Sequence, residues 1–474
     1  MLFNSFDFGL FLFIAYTLYW LIGTHRVTLQ NVFLLLASYF FYAVWDWRFL
    51  ALLISSSLID YFAALYMDKT NHSLRRKTIL WASILWNLGI LFTFKYFHFF
   101  IENFEALFHI ENSSTYHFWN VAIPVGLSFY TFQTMSYTID VYHKKIKPTT
   151  TLLHFLCFVS FFPQLVAGPI EKAKDLLPQF VKKRNFDLKN SKEGLRQILW
   201  GLFKKIIVAE KLGLAVDMVY NNPEGYNFIT LIFVGTLFFF QLYCDFSGYT
   251  DIAIGTAKLF GFRLSKNFNL PYLARSFSDF WQRWHITLTR WFTDYFFIPF
   301  VTSFKNSQFI GAIGIILTLT LVGFWHGAHW NFLLFGLLNG IMMVLERLPL
   351  GSKNKTLEKV LQTQPYIFSF IYVTTCYTLL SLIFRAQSFE QISLIFSRIF
   401  NLSWDGAFTT LIGWKLGYLG FMLMAEIAFR KKEYPLQQLE NWLPKPLRWI
   451  AYYLFIIIII RYAESKEAFI YFQF

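Results

Sequence analysis

Long apolar runs set the architecture of this chain. They lie at 8–23, 29–45, 48–67, 79–101, 119–141, 196–220, 228–246, 308–325, 329–347, 365–385, 407–429 and 447–462. An α-helix rises about 1.5 Å per residue, so roughly 20 apolar residues cover the ~30 Å hydrocarbon core of a bilayer. Backbone polar groups in that core must be satisfied within the element, which leaves helices or closed barrels. These runs lack the alternation of a barrel strand, so they read as helices. Composition agrees: 56% of residues are hydrophobic and only 15% charged, with 60 phenylalanines, whereas a soluble domain is about a quarter charged. The expected fold is an all-α polytopic membrane protein of about twelve transmembrane helices. No internal repeat or low-complexity linker divides it, so 1–474 is read as a single membrane domain.

Charge placement orients it. The net charge of +14 does not signal nucleic acid, because Lys and Arg gather in short stretches between apolar runs. The stretches 68–77, 143–147, 181–192 and 430–448 are basic and are assigned to the cytoplasm. The 102–118 loop carries Glu102, Glu105 and Glu111 without Lys or Arg and suits the outside. Alternation from there puts both termini outside. The opening "MLFNSFDFGLFLFIAYTLYWLIG" has no basic n-region or small-residue cleavage site and is read as a retained first span.

Two regions depart from simple crossings. The segment 151–180, with Pro163, Gly168 and Pro169 as breakers, is expected to be re-entrant, since a full crossing would put its flanking basic loops on opposite sides. A kinked helix is the other reading. In 247–307, Arg263, Lys266, Arg275 and Arg283 alternate with Phe and Trp, which suggests helices at the cytoplasmic interface.

Within this apolar frame, "LVGFWHGAHWNFLLFGLLNG" (321–340) places His326 and His329 between Trp325 and Trp330. An intramembrane ionisable group is a candidate functional site, and an imidazole suits proton transfer near neutral pH. A short loop at headgroup level, with tryptophan anchors, is the competing placement, and hydropathy favours it. His285 stands in "DFWQRWHITLTRW" (279–291) near Asp279, Gln282 and Arg283, and "QLYCDFSGYTD" (241–251) puts Asp245 and Asp251 at a membrane edge. The carboxylates equally suit structural pairing with basic groups. No metal is expected: His326 and His329 lack a carboxylate or Cys to complete a ligand set. Cys157, Cys244 and Cys376 are far apart in apolar contexts and imply no disulfide framework.

The ordered stretches "VAGPIEKAKDLLPQF", "CDFSGYTDIAIGTAKLFGFRLSKNFNLPYLARSFSDFWQRWHITLTRWFTDYFFIPF" and "VGFWHGAHWNFLLFG" resemble the membrane-bound O-acyltransferase family. The likeness is to its alginate O-acetyltransferase branch, related to the protein that exports D-alanine to teichoic acids. It covers nearly the whole chain, with the core motifs in about 120–347. It implies a central tunnel flanked by re-entrant and interfacial helices, in a bacterial inner membrane. It implies His326 as catalytic base at the tunnel and His285 as second catalytic residue, with Asp279, Gln282, Trp325 and Asp245 as site-lining candidates. The donor implied is acetyl-CoA or another acyl thioester, on the cytoplasmic side. The acceptor is a hydroxyl on the outer face, for O-acetylation of an extracytoplasmic polysaccharide. Peptidoglycan, a teichoic acid or a lipid-linked sugar are alternative acceptors. The branch further implies a separate SGNH-type acetyltransferase partner outside the cytoplasm, since nothing in this chain resembles one.

The aromatic tail 468–474, "AFIYFQF", is expected to tuck back towards the protein or lipid. Related export systems have a tyrosine-bearing tail near the acyl exit, which makes Tyr471 a candidate acyl relay; a plain interfacial anchor is the alternative. A proton-coupled transporter using Asp245, Asp251 and His326 is the rival from another class, opposed by the missing repeat and the ordered motifs.

Overall fold

The computed structural model describes residues 1–109, 124–166, 168–304, 307–350, 355–407, 413 and 415–462. The described chain is helical throughout, apart from one two-residue hairpin. In order come α1 (Phe6–Leu21), α2 (Val27–Asp46), α3 (Leu50–Lys69), α4 (Ser73–Leu91), α5 (Phe97–Phe108), α6 (Leu127–Tyr142), α7 (Leu152–Ser160), α8 (Phe162–Leu165), α9 (Ala173–Val181) and α10 (Leu188–Leu202). Then follow α11 (Glu210–Asn221), α12 (Phe228–Leu259), α13 (Phe277–Arg283), α14 (Ile286–Phe292), α15 (Ile298–Ser303), α16 (Gln308–His326) and α17 (Trp330–Arg347). The hairpin pairs β1 (Pro349–Leu350) with β2 (Lys355–Thr356), antiparallel. The chain continues through α18 (Leu357–Thr363), α19 (Tyr366–Arg385), α20 (Phe389–Phe400), α21 (Lys415–Ala428) and α22 (Lys445–Tyr462).

Five helical stretches are long and apolar enough to cross a membrane: Val27–Lys69, Ser73–Phe108, Phe228–Leu259, Gln308–His326 and Tyr366–Arg385. Together with the family shown below, they make this a multi-pass membrane protein. The chain divides into two compact units, Met1–Leu195 with Ala253–Ser265, and Arg196–Ile252 with Lys266–Phe474.

In the first unit a polar knot joins α3, α4 and α6. Asp60, fully buried, accepts from the Asn87 side-chain amide at 3.1 and 2.8 Å and from the Ser83 hydroxyl at 2.5 Å. Ser56 closes it by donating to Asn87 Oδ1 at 2.7 Å. Away from water such bonds tie helices together, because hydrocarbon offers the groups no other partner. The 151–180 stretch is broken: α7 has nine residues, the chain turns at Phe161 (φ −54°, ψ 107°), and α8 has four, with Pro163 near its start. At about 1.5 Å per residue neither piece reaches across ~30 Å of hydrocarbon.

In the second unit a π-helical segment, Phe203–Ala209, carries adjacent Lys204 and Lys205, which are 3% and 2% exposed. Both neutralise carboxylates on α12. Lys204 Nζ lies 2.6 Å from Asp251 and 3.5 Å from Glu426 of α21, and Lys205 Nζ lies 2.5 Å from Asp245. Gln197 donates to Asp251 at 2.8 Å, and Tyr243 and Tyr272 donate to Glu426 at 2.7 and 3.0 Å. A buried charge is tolerated only when paired and hydrogen-bonded in this way. The pairing also explains why α12 extends to Leu259, beyond the apolar run that ends at 246.

α16 and α17 form a tight hairpin. A Cβ on Gly336 would run into the Leu319 carbonyl and lie 2.8 Å from Thr320 Cα; one on Gly340 would lie 2.7 Å from Ile316 Cα. The glycines let the backbones touch, the small-residue packing common between membrane helices.

Candidate active site

The hairpin delivers His326. It is the last residue of α16, after which Gly327 is extended (φ −166°, ψ 157°). The Phe332 ring occupies the space a Cβ at 327 would need, so the turn closes over an aromatic plug. His326 is 3% exposed, while His329 and Trp330 face outward. The two histidines therefore separate: 326 turns inward and only 329 sits at the exposed turn. The His326 ring meets Trp325 and Phe384 edge-on, at centroid distances of 5.0 and 5.2 Å.

His326 forms part of the wall of a cavity with about 390 Å³ of empty space, its mouth included. α12 contributes Phe238, Phe239 and Leu242; α13 and the residue after it contribute Phe280, Trp281 and Trp284. The rest of the wall is Phe335 of α17 with Tyr377, Ser381 and Phe384 of α19. The α19 residues recur at i, i+4 and i+7, one face of a helix. Apolar aromatic walls with a few convergent polar groups are the usual make-up of a small-molecule site. Among these lining residues His326 alone carries an imidazole.

His285 lies behind the wall. It is completely buried, stacked on Trp325 at 5.6 Å and packed on Phe246 at 4.6 Å, so the Trp325 indole touches both imidazoles. Its backbone adopts φ 41°, ψ 54°, a left-handed turn unusual for a non-glycine residue. Asn267, fully buried, fixes that turn. Its carbonyl accepts from Ile286 N at 2.9 Å, and its side-chain oxygen accepts from Thr287 N and Oγ1 at 3.2 and 3.0 Å. His285 falls in the connection between candidate spans. Burial there, reinforced by neighbouring His326, pushes its pKa well below the ordinary imidazole value. It is a neutral group at physiological pH.

The other sequence candidates fall elsewhere. Asp279 accepts from Arg283 Nε at 2.6 Å and from the Arg275 amide at 2.9 Å, which braces α13. Gln282 is exposed. Asp245 is held by Lys205 and is not part of the cavity wall. Tyr471 lies outside the described residues. Sequence reading passed over α19, although hydroxyls in "VTTCYTLLSLIF" (373–384) mark an inward face within an otherwise apolar span. It also passed over Trp281 and Trp284, which stand between residues it did single out.

Comparison with known proteins identifies the family. Residues 143–388 match the sequence model of MBOAT, the membrane-bound O-acyltransferase family. The chain is 35% identical over 389 residues to the peptidoglycan O-acetyltransferase of Helicobacter pylori, covering 76% of this chain and 72% of that protein. It is 32% identical over 446 residues to the "probable alginate O-acetylase AlgI" of Pseudomonas aeruginosa, covering 92% and 82%. The teichoic acid D-alanyltransferase of Bacillus subtilis is more distant, 30% identical over 242 residues, covering 47% and 59%. The matched stretch contains both buried histidines and the whole cavity wall, and the chain belongs to the membrane-bound O-acyltransferase family and is an O-acyltransferase.

Proposed function

We propose that the chain transfers acetyl from acetyl-CoA, or a related thioester, to a hydroxyl that leads to O-acetylation of an extracytoplasmic polysaccharide. The observation that carries this reading is His326: an imidazole, the side chain suited to taking up a proton, buried in the wall of an aromatic cavity. In the transfer, His326 removes the proton of the acceptor hydroxyl. The oxygen attacks the thioester carbonyl, a C–O bond forms, the C–S bond breaks, and the thiolate leaves with the proton from the imidazolium. His285, held neutral behind the wall, acts as a second catalytic residue by fixing the Trp325 indole that contacts His326. The aromatic wall keeps out water that would hydrolyse the thioester.

The acceptor class follows from the relatives, one named for peptidoglycan and another for alginate. Acetyl-CoA approaches from the cytoplasmic side, where the basic loops favour its phosphates. A separate extracytoplasmic SGNH-type protein receives the acetyl group and places it on the polymer, and Tyr471 is the proposed relay. A transporter path would need Asp245, Asp251 and His326 together, yet both aspartates are engaged by lysines and only His326 reaches the cavity.

The test is CoA release from acetyl-CoA by the purified full chain with its partner and a polysaccharide acceptor. Transfer should fall by about 10²–10⁴-fold in His326→Ala, the range general-base catalysis supplies. Undiminished transfer in a folded variant would overturn the assignment.

A further inference from the structure

Two aromatic walls of the cavity share one hidden anchor. Trp281 Nε1 donates to Asn339 Oδ1 at 3.3 Å, and Tyr377 Oη donates to the same oxygen at 3.1 Å. Asn339 is completely buried on α17 and does not line the cavity. Its own amide donates to the Phe335 carbonyl one turn earlier at 2.9 Å. That bond settles the amide's orientation: Nδ2 faces the helix, and Oδ1 faces the two aromatic donors. An indole N–H can only donate, so the assignment is consistent from both sides.

The rest of the surroundings leave the two rings one degree of freedom. Tyr377 is stacked between Phe280, at 3.6 Å, and Phe277, at 5.0 Å. Stacking fixes the plane of the ring but lets it slide within that plane. The bond to Asn339 stops the slide. α13 is independently fastened to α17, because the Phe277 amide donates to buried Glu346 at 2.9 and 3.1 Å. The backbone carrying Trp281 is therefore fixed, and its indole is the part Asn339 controls.

We propose that Asn339 is a positioning residue that sets the width of the acyl cavity, and so restricts the enzyme to short acyl groups, by pinning Trp281 and Tyr377. The inference rests on the acyl-transfer reading above and deepens it. Replacing Asn339 by Ala does two things at once. It leaves two buried donors without an acceptor, an unfavourable state, so both rings are driven to move. It also opens space behind them, so the direction of movement is away from the cavity. The cavity widens and longer acyl chains fit.

The experiment compares acetyl-CoA with butyryl-CoA as donors for full-length protein in detergent, with its partner and a polysaccharide acceptor present, reading the ratio of kcat/KM for butyryl over acetyl. Asn339→Ala should raise that ratio by about tenfold or more, since one methylene in an apolar pocket is worth about 10–200-fold. Asn339→Ser, with a smaller void and a hydroxyl acceptor, should give a smaller rise. Asn339→Asp, which as the buried neutral acid keeps the acceptor oxygen for the two rings and donates its proton to the Phe335 carbonyl, should hold the wild-type ratio within about threefold. A purely structural role lowers both donors alike and leaves the ratio flat; a flat ratio across Ala and Ser overturns the inference. If the Ala protein does not fold, the Ser and Asp proteins decide between the same two outcomes. A wild type inert towards every thioester overturns the acyl-transfer reading, and this inference with it. Acetyl activity with a flat ratio overturns the inference alone.

Discussion

A non-glycine residue held at φ 41° costs about 1–3 kcal/mol, and His285 bears that cost beside the proposed base. The three bonds from Asn267 explain how the turn persists. Asn267→Ala removes two of them and leaves a buried Thr287 amide without its partner, so the His285 turn should relax. The expected result is a fall in kcat of about tenfold, one 1.4 kcal/mol step, with KM for the thioester nearly unchanged. A loss confined to KM would place His285 in donor binding instead. The depressed pKa of His285 has its own consequence. Burial disfavours its charged form, so an inflection in kcat near neutral pH should belong to another group. His285→Gln, a neutral hydrogen-bonding side chain, should therefore retain more activity than His285→Ala and leave the pH profile unshifted; a profile that moves with Gln would show that His285 titrates in the working range. In the tail, Tyr471→Phe separates relay from anchor: loss of both CoA release and acetyl delivery to the partner supports a phenolic ester, and full delivery removes it.

At the level of elements, the hairpin of α16 and α17 carries most of the geometry. Gly336 faces the backbone of Leu319 and Thr320 with no room for a side chain. Gly336→Leu must separate the helices, and overpacking of this kind costs about 1–3 kcal/mol or more. Thermal inactivation in detergent should shift down by several degrees, and activity should fall even below that temperature because His326 is displaced; a wild-type inactivation curve would contradict the close contact. Much of this element was legible. The apolar runs 308–325, 329–347 and 365–385 nearly coincide with Gln308–His326, Trp330–Arg347 and Tyr366–Arg385, because uniform hydrophobicity is what a crossing requires. α12 was read thirteen residues short. "DFSGYTD" lowers local hydropathy, and nothing in a hydropathy window reports that Lys204 and Lys205 on another helix neutralise Asp245 and Asp251. The cavity was half legible for the same reason. His326 stands out as a polar group in an apolar run, whereas Trp325, read as a lining residue, sits behind the wall against both histidines, and Asn339 matters only through partners 58 and 38 positions away along the chain.

For the molecule as a whole, 42 basic and 28 acidic residues divide into two populations with different work. Lys204 and Lys205 are interior and compensate carboxylates. Lys204→Ala would leave Asp251 and Glu426 buried with one cation removed, a change worth about 3–5 kcal/mol, while exposed pairs such as Arg398–Asp405 should contribute about 0–1 kcal/mol. The basic stretches between the apolar runs carry a further share of the cations, and those govern orientation. Retention of Lys and Arg on the cytoplasmic side predicts that 68–77 and 181–192 face the cytoplasm and that both termini face outward. Single cysteines test this, for example at exposed Ser73 and Lys189, with one near the N-terminus at half-buried Asn4. The background is low, because Cys157 and Cys244 are buried, and the less buried Cys376 can be replaced. In intact cells a membrane-impermeant maleimide should label the Asn4→Cys protein and spare the other two until the membrane is opened. Labelling of Ser73→Cys or Lys189→Cys from outside would invert the topology. The donor side of the proposed reaction would then have to be reassigned along with it, since the thioester is made in the cytoplasm and must meet the basic loops there.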